Sequence, residues 1–254
     1  LFTIKGTVDT GNLYVKLTSQ DTVGAITDYK DYKTDLSSEY SKASANKLSL
    51  DDKKAEVQIN EMYPGYAYKF KFKAKNAGTV AAKLSSILVN SEFANDPIKG
   101  AIGINIRVTV NNKTYEYVPV KLFGVTLFYI PIPVNDKDQP VDLPANNEYD
   151  FAIRDVRFKS LKGLSKIDIT EDNLLLLDSD LFILPDTSHE MEIVLTIGMD
   201  PDADGEFTNG VSWLDVNNKT SPDVTDIYTE DQLGTLTLKF LWDQYNAPEQ
   251  PLAE

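Results

Sequence analysis

The sequence motif with the clearest metal chemistry is an acidic loop, Asp200-Pro201-Asp202-Ala203-Asp204-Gly205-Glu206. Carboxylates at alternate positions followed by glycine form the front part of a calcium loop, because a hard cation prefers several oxygen ligands and glycine allows the sharp turn. The twelfth position, where a bidentate Glu is expected, holds Val211. We predict calcium binding with the shell completed from another loop, against the alternative of a solvated acidic turn. The four predicted ligands are Asp200, Asp202, Asp204 and Glu206.

The other residues give little support for a catalytic site. The chain contains no cysteine, which excludes disulfides, thiolate nucleophiles and cysteine-based zinc sites. Its single histidine, His189, is followed by Glu190, but a zincin motif needs a second histidine. Paired carboxylates for glycoside hydrolysis require a cleft and a defined separation, which a sequence does not reveal. We therefore predict that the protein is not an enzyme, with a carboxylate-dependent hydrolase kept as an alternative.

The net charge limits the partners of the protein. The formal charge is −14 at pH 7, from 39 acidic and 25 basic residues. Such a charge argues against binding nucleic acid or anionic membranes through bulk electrostatics. It suits a surface that attracts divalent cations, or one that only confers solubility. No run of about 18 apolar residues occurs, so no membrane span is predicted.

Two tripeptides have the form of N-glycosylation acceptors, Asn112-Lys113-Thr114 and Asn218-Lys219-Thr220. Both lie in predicted turns, where an acceptor asparagine has to be. We predict glycosylation at Asn112 and Asn218, against the alternative that both tripeptides arise by chance.

The elements that must position these residues are short strands. In residues 67–73 three aromatic side chains alternate with three lysines, the period of two that a half-buried strand shows. The alternating residues are Tyr68, Phe70 and Phe72 against Lys69, Lys71 and Lys73. The turn Tyr63-Pro64-Gly65 precedes this strand and the turn at 75–78 ends it. Since an alternating aliphatic run follows, the stretch predicts an antiparallel hairpin.

The same alternation recurs along the chain. It predicts further strands at 13–17, 102–110, 114–122, 191–197 and 234–245, whereas residues 90–100, which include a proline, are predicted to be irregular. The apolar stretch 123–134 contains Pro131 and Pro133, which predict an edge strand or a packed crossover. In residues 28–47, apolar spacings of three and four favour a short amphipathic helix. We therefore predict an all-β fold, a jelly-roll-like antiparallel β-sandwich with loop insertions and one short helical excursion.

The N-terminal residues form a separate apolar strand in this reading. Phe2, Ile4 and Val8 share one face ahead of a predicted turn at 9–12. Such a strand can pair within its own sheet or add to the sheet of a neighbour. We predict a donor-strand segment at 1–8, a single sandwich domain at 9–246 and an exposed tail at 247–254.

Several of these motifs, taken in order, resemble the TasA/camelysin family of secreted biofilm-filament proteins. The resemblance rests on the strand Phe2-Thr3-Ile4-Lys5-Gly6-Thr7-Val8, the turn at 63–65 with the strand after it, the turn Asn76-Ala77-Gly78, and the closing segment 236–246. Archaeal bundling pili and extracellular cannula subunits share that architecture. The resemblance covers both ends and residues 55–89, whereas 90–185 do not align.

The resemblance implies a secreted jelly-roll subunit, extracellular or at the cell surface after signal-peptide removal, that polymerises by lending its N-terminal strand to a neighbour. The expected partners are copies of the same chain and, through the filament, other filaments or cells. The metalloprotease activity described for some members is not carried over, because this chain lacks His-Glu-x-x-His. The expected function is a structural subunit of a biofilm fibre, pilus or cannula with calcium support. The alternative is a monomeric secreted module that binds calcium or carbohydrate.

Overall fold

Alternating apolar and polar residues become strands throughout the described part of the chain. The computed structural model describes residues 11–27, 46–59, 62, 64–93, 98–122, 125–135, 139–170, 181–185, 190–203 and 234–245. The strands are β1 Val15–Thr27, β2 Lys47–Leu50, β3 Lys54–Ile59, β4 Tyr66–Asn76, β5 Ala82–Phe93, β6 Ile102–Val110, β7 Lys113–Leu122, β8 Val125–Pro133, β9 Phe151–Ile153, β10 Val156–Ser160, β11 Lys166–Asp168, β12 Phe182–Ile183, β13 Glu190–Met199 and β14 Gly234–Gln244. One short helix, α1, spans Ile98–Ala101.

These strands form two antiparallel sheets. The first sheet has eight strands and begins β1-β4-β13-β6. Beyond β6 it divides, because β10 pairs with the first half of β6 and β7 with the second half, and β9 and β8 continue these two branches. The second sheet has six strands in the order β2-β3-β14-β5, with β11 and β12 both on the far side of β5. The architecture is therefore an all-β sandwich.

The core lies between the inner faces of the two sheets. Tyr68, Phe70 and Phe72 of β4 are fully buried there, and Phe72 meets Phe240 of β14 edge to face at 5.7 Å. The lysines of β4 point outward, where Lys71 pairs with Glu192 of β13 at 2.7 Å. β4 thus divides its residues from Tyr68 onward between a dry face and a wet face, as its period predicts.

The predicted β-fold is confirmed, and so is the edge position of the proline-bearing stretch. β8 forms the end of its branch and pairs within the sheets only with β7, consistent with prolines at 131 and 133. The turn at Pro64-Gly65 is also confirmed, with Gly65 at φ 75°. The jelly-roll connectivity stays a prediction.

Three local predictions differ from the structure. β1 continues to Thr27, well past the strand predicted to end at 17, because β4 supplies partners along its whole length with two register shifts. A helical turn, α1, occupies 98–101, where an irregular segment is predicted. Lys47, the last residue of the predicted helical excursion, begins β2 instead. Residues 28–45 of that excursion lie outside the described residues.

Candidate functional site

Residues 11–14, which precede β1, lie alongside the turn that joins β4 to β5. The amide of Ala77 donates to the carbonyl of Tyr14 and the amide of Thr79 to the carbonyl of Asn12, both at 2.7 Å. Gly78 makes this close approach possible, since a Cβ there would lie 2.1 Å from the Asn12 carbonyl oxygen. Residues 11–14 are therefore fixed at one end of the sandwich. The predicted polymerisation residues Phe2, Ile4 and Val8 lie outside the described residues.

The strand that follows, β1, forms the edge of the eight-stranded sheet. Within the described chain it pairs with β4 alone, with register shifts between Thr18 and Gln20 and between Thr22 and Gly24. Near its start, the Tyr14 hydroxyl donates to the carboxylate of Asp52 on the loop between β2 and β3. This hydrogen bond is the main reason that the pKa of Tyr14 is raised. Register shifts such as the two in β1 are common in edge strands, where they limit unspecific pairing with other chains.

The predicted calcium loop begins where β13 ends. The Asp200 amide donates to the Ala101 carbonyl at 2.8 Å, and one carboxylate oxygen of Asp200 accepts the Asp202 amide at 3.0 Å. Asp200 and Asp202 therefore lie in one tight turn, which is held closed by the hydrogen bond from the Asp202 amide to the Asp200 carboxylate. Asp204 and Glu206 lie outside the described residues. Among the residues that the structure does describe, no group of three or more acidic or histidine side chains could hold a metal.

The first predicted glycosylation site lies at the tip of the β6–β7 hairpin. Asn111 and Asn112 both have positive φ, 52° and 62°, as a two-residue turn of this hand requires. Asn112 is exposed, whereas the hydroxyl of Thr114 is 2.9 Å from that of Thr109 across the hairpin. The acceptor amide is thus accessible. The second site, Asn218, lies outside the described residues.

A buried charged network, which the sequence analysis does not predict, lies on the outer face of the eight-stranded sheet. Arg107 of β6 and Glu116 of β7 are cross-strand partners joined at 2.8 Å, with side chains only 9% and 1% exposed. The Tyr149 hydroxyl donates to the second oxygen of Glu116 at 2.5 Å. Burial, together with the Glu116 carboxylate, strongly raises the pKa of Tyr149, so its phenol stays protonated and remains a donor.

The segment 149–158, which contains the β9–β10 hairpin, packs against this face, since Tyr149 reaches Glu116 and the Arg157 carbonyl accepts the side-chain amide of Asn105 at 2.9 Å. Three small residues at matching positions, Ala67, Gly198 and Gly103, form a flat floor. Phe151 and Phe158 stack above it at 5.1 Å with an interplanar angle of 11°. Side chains on Gly103 or Gly198 would collide with these rings. The hairpin therefore gives the outer face a second, smaller core.

One signal in the sequence marks this region. The chain has only three arginines among its 25 basic residues, namely Arg107 in β6 and Arg154 and Arg157 in the β9–β10 hairpin. Arginine offers a planar set of donors that holds a buried carboxylate better than lysine does. The network contains no activated nucleophile. Its ion pair and hydrogen bond hold together β6, β7 and the segment at Tyr149.

No helix within the described ranges is long and apolar enough to cross a membrane. Comparison of the chain with models of protein families and with curated protein sequences finds no match.

Proposed function

We propose that the protein is a structural subunit of an extracellular filament or tube, in which the N-terminal strand of one copy adds to a sheet of the next. The observation that supports this most is the anchoring of residues 12–14 against the β4–β5 turn. Asn12, four residues after the proposed donor segment 1–8, is held beside this turn. Eight extended residues reach roughly 26 Å from such a point.

The chemistry of residues 1–8 suits strand addition. An added strand gains backbone hydrogen bonds, and its alternate side chains fill pockets on the acceptor. Burial of Phe2, Ile4 and Val8 contributes roughly 1.5–3 kcal/mol each before ordering costs. Because donor and acceptor surfaces differ, the contact is heterologous, and it propagates into an open fibre when the rotation does not close a ring.

The acceptor edge is expected away from the middle of β8. The amide of Thr170 donates to the carbonyl of Tyr129 at 3.0 Å, so the centre of that edge is already occupied. β1 presents a longer edge, since among the described strands it pairs only with β4. The Leu17 amide donates to the Asp52 carbonyl at 2.9 Å, so the available part of this edge is the one after Leu17. We therefore favour β1 as the acceptor over the apolar stretch 123–134.

Deletion of residues 1–8 is expected to abolish filaments and leave a soluble monomer of lower stability, because its acceptor groove is empty. Negative-stain electron microscopy of the purified protein measures assembly, and a synthetic peptide of residues 1–8 should restore the melting temperature. Deletion of the equally long tail 247–254 is the control and should leave filaments unchanged. Normal filaments from the protein lacking 1–8 would rule out the donor strand.

Calcium binding by the loop at 200–206 is part of the same proposal. A ligand that binds only the folded chain at a hundredfold excess over Kd raises stability by about 2.7 kcal/mol. Chelator is therefore expected to lower the melting temperature of the wild type but not of Asp202→Ala/Asp204→Ala. Asp155→Ala/Asp243→Ala removes two exposed carboxylates elsewhere and should respond like the wild type. An unchanged chelator response in Asp202→Ala/Asp204→Ala would locate calcium elsewhere.

A further inference from the structure

A cavity of about 260 Å³ opens where the chain passes from the eight-stranded to the six-stranded sheet. Its walls come from β8, from the end of β10, from the turn at 161–165 and from β11. The cavity thus lies at the seam between the two sheets. Its volume suits a ligand of monosaccharide size rather than a drug-sized molecule.

The rim of this cavity is held in place by backbone hydrogen bonds. The amide of Leu164 donates to the Leu161 carbonyl at 3.1 Å, and the amide of Val89 donates to the Ser165 carbonyl at 2.8 Å. Gly163 has φ of +73°, a conformation that closes the turn and that glycine adopts without strain. Leu161 is buried in the core. The binding surface is therefore preorganised, which lowers the entropic cost of binding.

Three lysines line the cavity. Lys159 is only 13% exposed and lies 3.3 Å from the Asp150 carboxylate. Lys166 is paired with Asp168 at 2.5 Å. Lys162 is exposed and makes no ion pair with any residue in the described ranges. Its ammonium is therefore available to a ligand.

Tyr129 lines the same cavity, and its hydroxyl is buried without a hydrogen-bond partner among the described residues. Burial raises its pKa, and the nearby carboxylates of Asp150 and Glu148 raise it further, so the phenol keeps its proton and acts as a donor. A buried polar group without a partner is uncommon and needs an explanation such as a water or ligand. Ser165 adds a second hydroxyl at the rim.

We propose that this cavity binds a carboxylate-bearing sugar, such as a uronic acid. Donors outnumber acceptors on its walls: Lys162, Tyr129 and Ser165 can all donate to a ligand. A carboxylate is the acceptor that matches an ammonium, and the hydroxyls of a sugar match Ser165 and the oxygens of Asp168. The net charge of −14 repels anions at long range, so selectivity has to come from these short contacts.

Titration of the isotopically labelled full chain with sodium glucuronate tests the proposal. The amide resonances of residues 163–166 are expected to shift saturably with glucuronate and not with glucose. Lys162→Gln should weaken binding by roughly fivefold or more, the effect of one lost charge-assisted hydrogen bond. Tyr129→Phe should also weaken binding while leaving the melting temperature unchanged or higher, because the lost hydroxyl has no partner in the described fold. Lys47→Gln, which changes an exposed lysine of β2 at the opposite edge of the six-stranded sheet, is the control.

Three results would overturn the proposal. They are the absence of a saturable shift with glucuronate, an equal response to glucose or to sodium sulfate, and equal weakening by Lys162→Gln and Lys47→Gln. The resonances that are followed belong to residues 163–166 of the sandwich and not to the segment 1–8, on which assembly is proposed to depend. Its outcome is therefore independent of whether the protein forms filaments.

Discussion

Replacing Glu116 by alanine is expected to lower the free energy of unfolding by about 3–5 kcal/mol. The variant leaves the guanidinium of Arg107 buried without a counter-charge, although one of its nitrogens, Nη2, already lacks a partner among the described residues. The Tyr149 hydroxyl loses its acceptor in the same step. Urea unfolding at pH 7, followed by circular dichroism, measures the change.

Two companion variants separate the charge from the packing. Tyr149→Phe removes only the hydrogen bond to a charged acceptor and should cost about 1.5–3 kcal/mol. The triple replacement Arg107→Met/Glu116→Leu/Tyr149→Phe removes both charges and the hydroxyl that would lose its acceptor, and it should recover most of the stability, because apolar side chains of similar volume often replace a buried pair without loss. A cost below about 1 kcal/mol for Glu116→Ala would mean that water reaches the pair.

The second large loss of stability is expected from a substitution in the floor of small residues that Phe151 and Phe158 cover. Gly103→Ala is expected to destabilise the protein by about 1–3 kcal/mol through overpacking. The new Cβ would lie 2.8 Å from Cζ of Phe151 and 2.9 Å from the carbonyl oxygen of Lys159. The ring can rotate, but the carbonyl belongs to β10, which pairs with β6 at this point. The same urea titration measures the loss.

Gly100→Ala is the matched control for that substitution. Gly100 lies in α1, and the nearest atom to an added Cβ is Cδ of Lys162 at 3.9 Å. Alanine at a compatible position reduces the entropy of the unfolded chain and stabilises by about 0.4–1 kcal/mol. Equal destabilisation by the two substitutions would contradict the close contact described for Gly103.

Local periodicity predicts the inner strands of this fold well. β6 and β13 each place one continuous apolar face against the core, and their predicted bounds agree with the structure at or within two residues of each end. β1 is predicted less well, because residues 18–27 do not alternate clearly and form a strand through pairing with β4. An alternating pattern in the sequence indicates a strand with one buried face. A strand that forms only through backbone pairing with its neighbour shows no such pattern.

The same periodicity is misleading on the outer face. A polar residue between two apolar ones is expected to meet solvent, yet Asn105 and Arg107 are both buried. The hairpin that covers them follows about 50 residues later in the chain, and no local pattern encodes that contact. The network of Arg107, Glu116 and Tyr149 is therefore visible only in three dimensions, apart from the unusual choice of arginine.

Both sheets receive a central strand from late in the chain. β13 lies between β4 and β6, and β14 lies between β3 and β5. During synthesis, a chain that has not reached residue 234 leaves the facing edges of β3 and β5 without the strand that joins them. Pairing over such sequence separations is slow, and unpaired edges attract other chains. The two halves of the six-stranded sheet can join only after β14 has been synthesised. Until then, nascent copies are most exposed to mispairing.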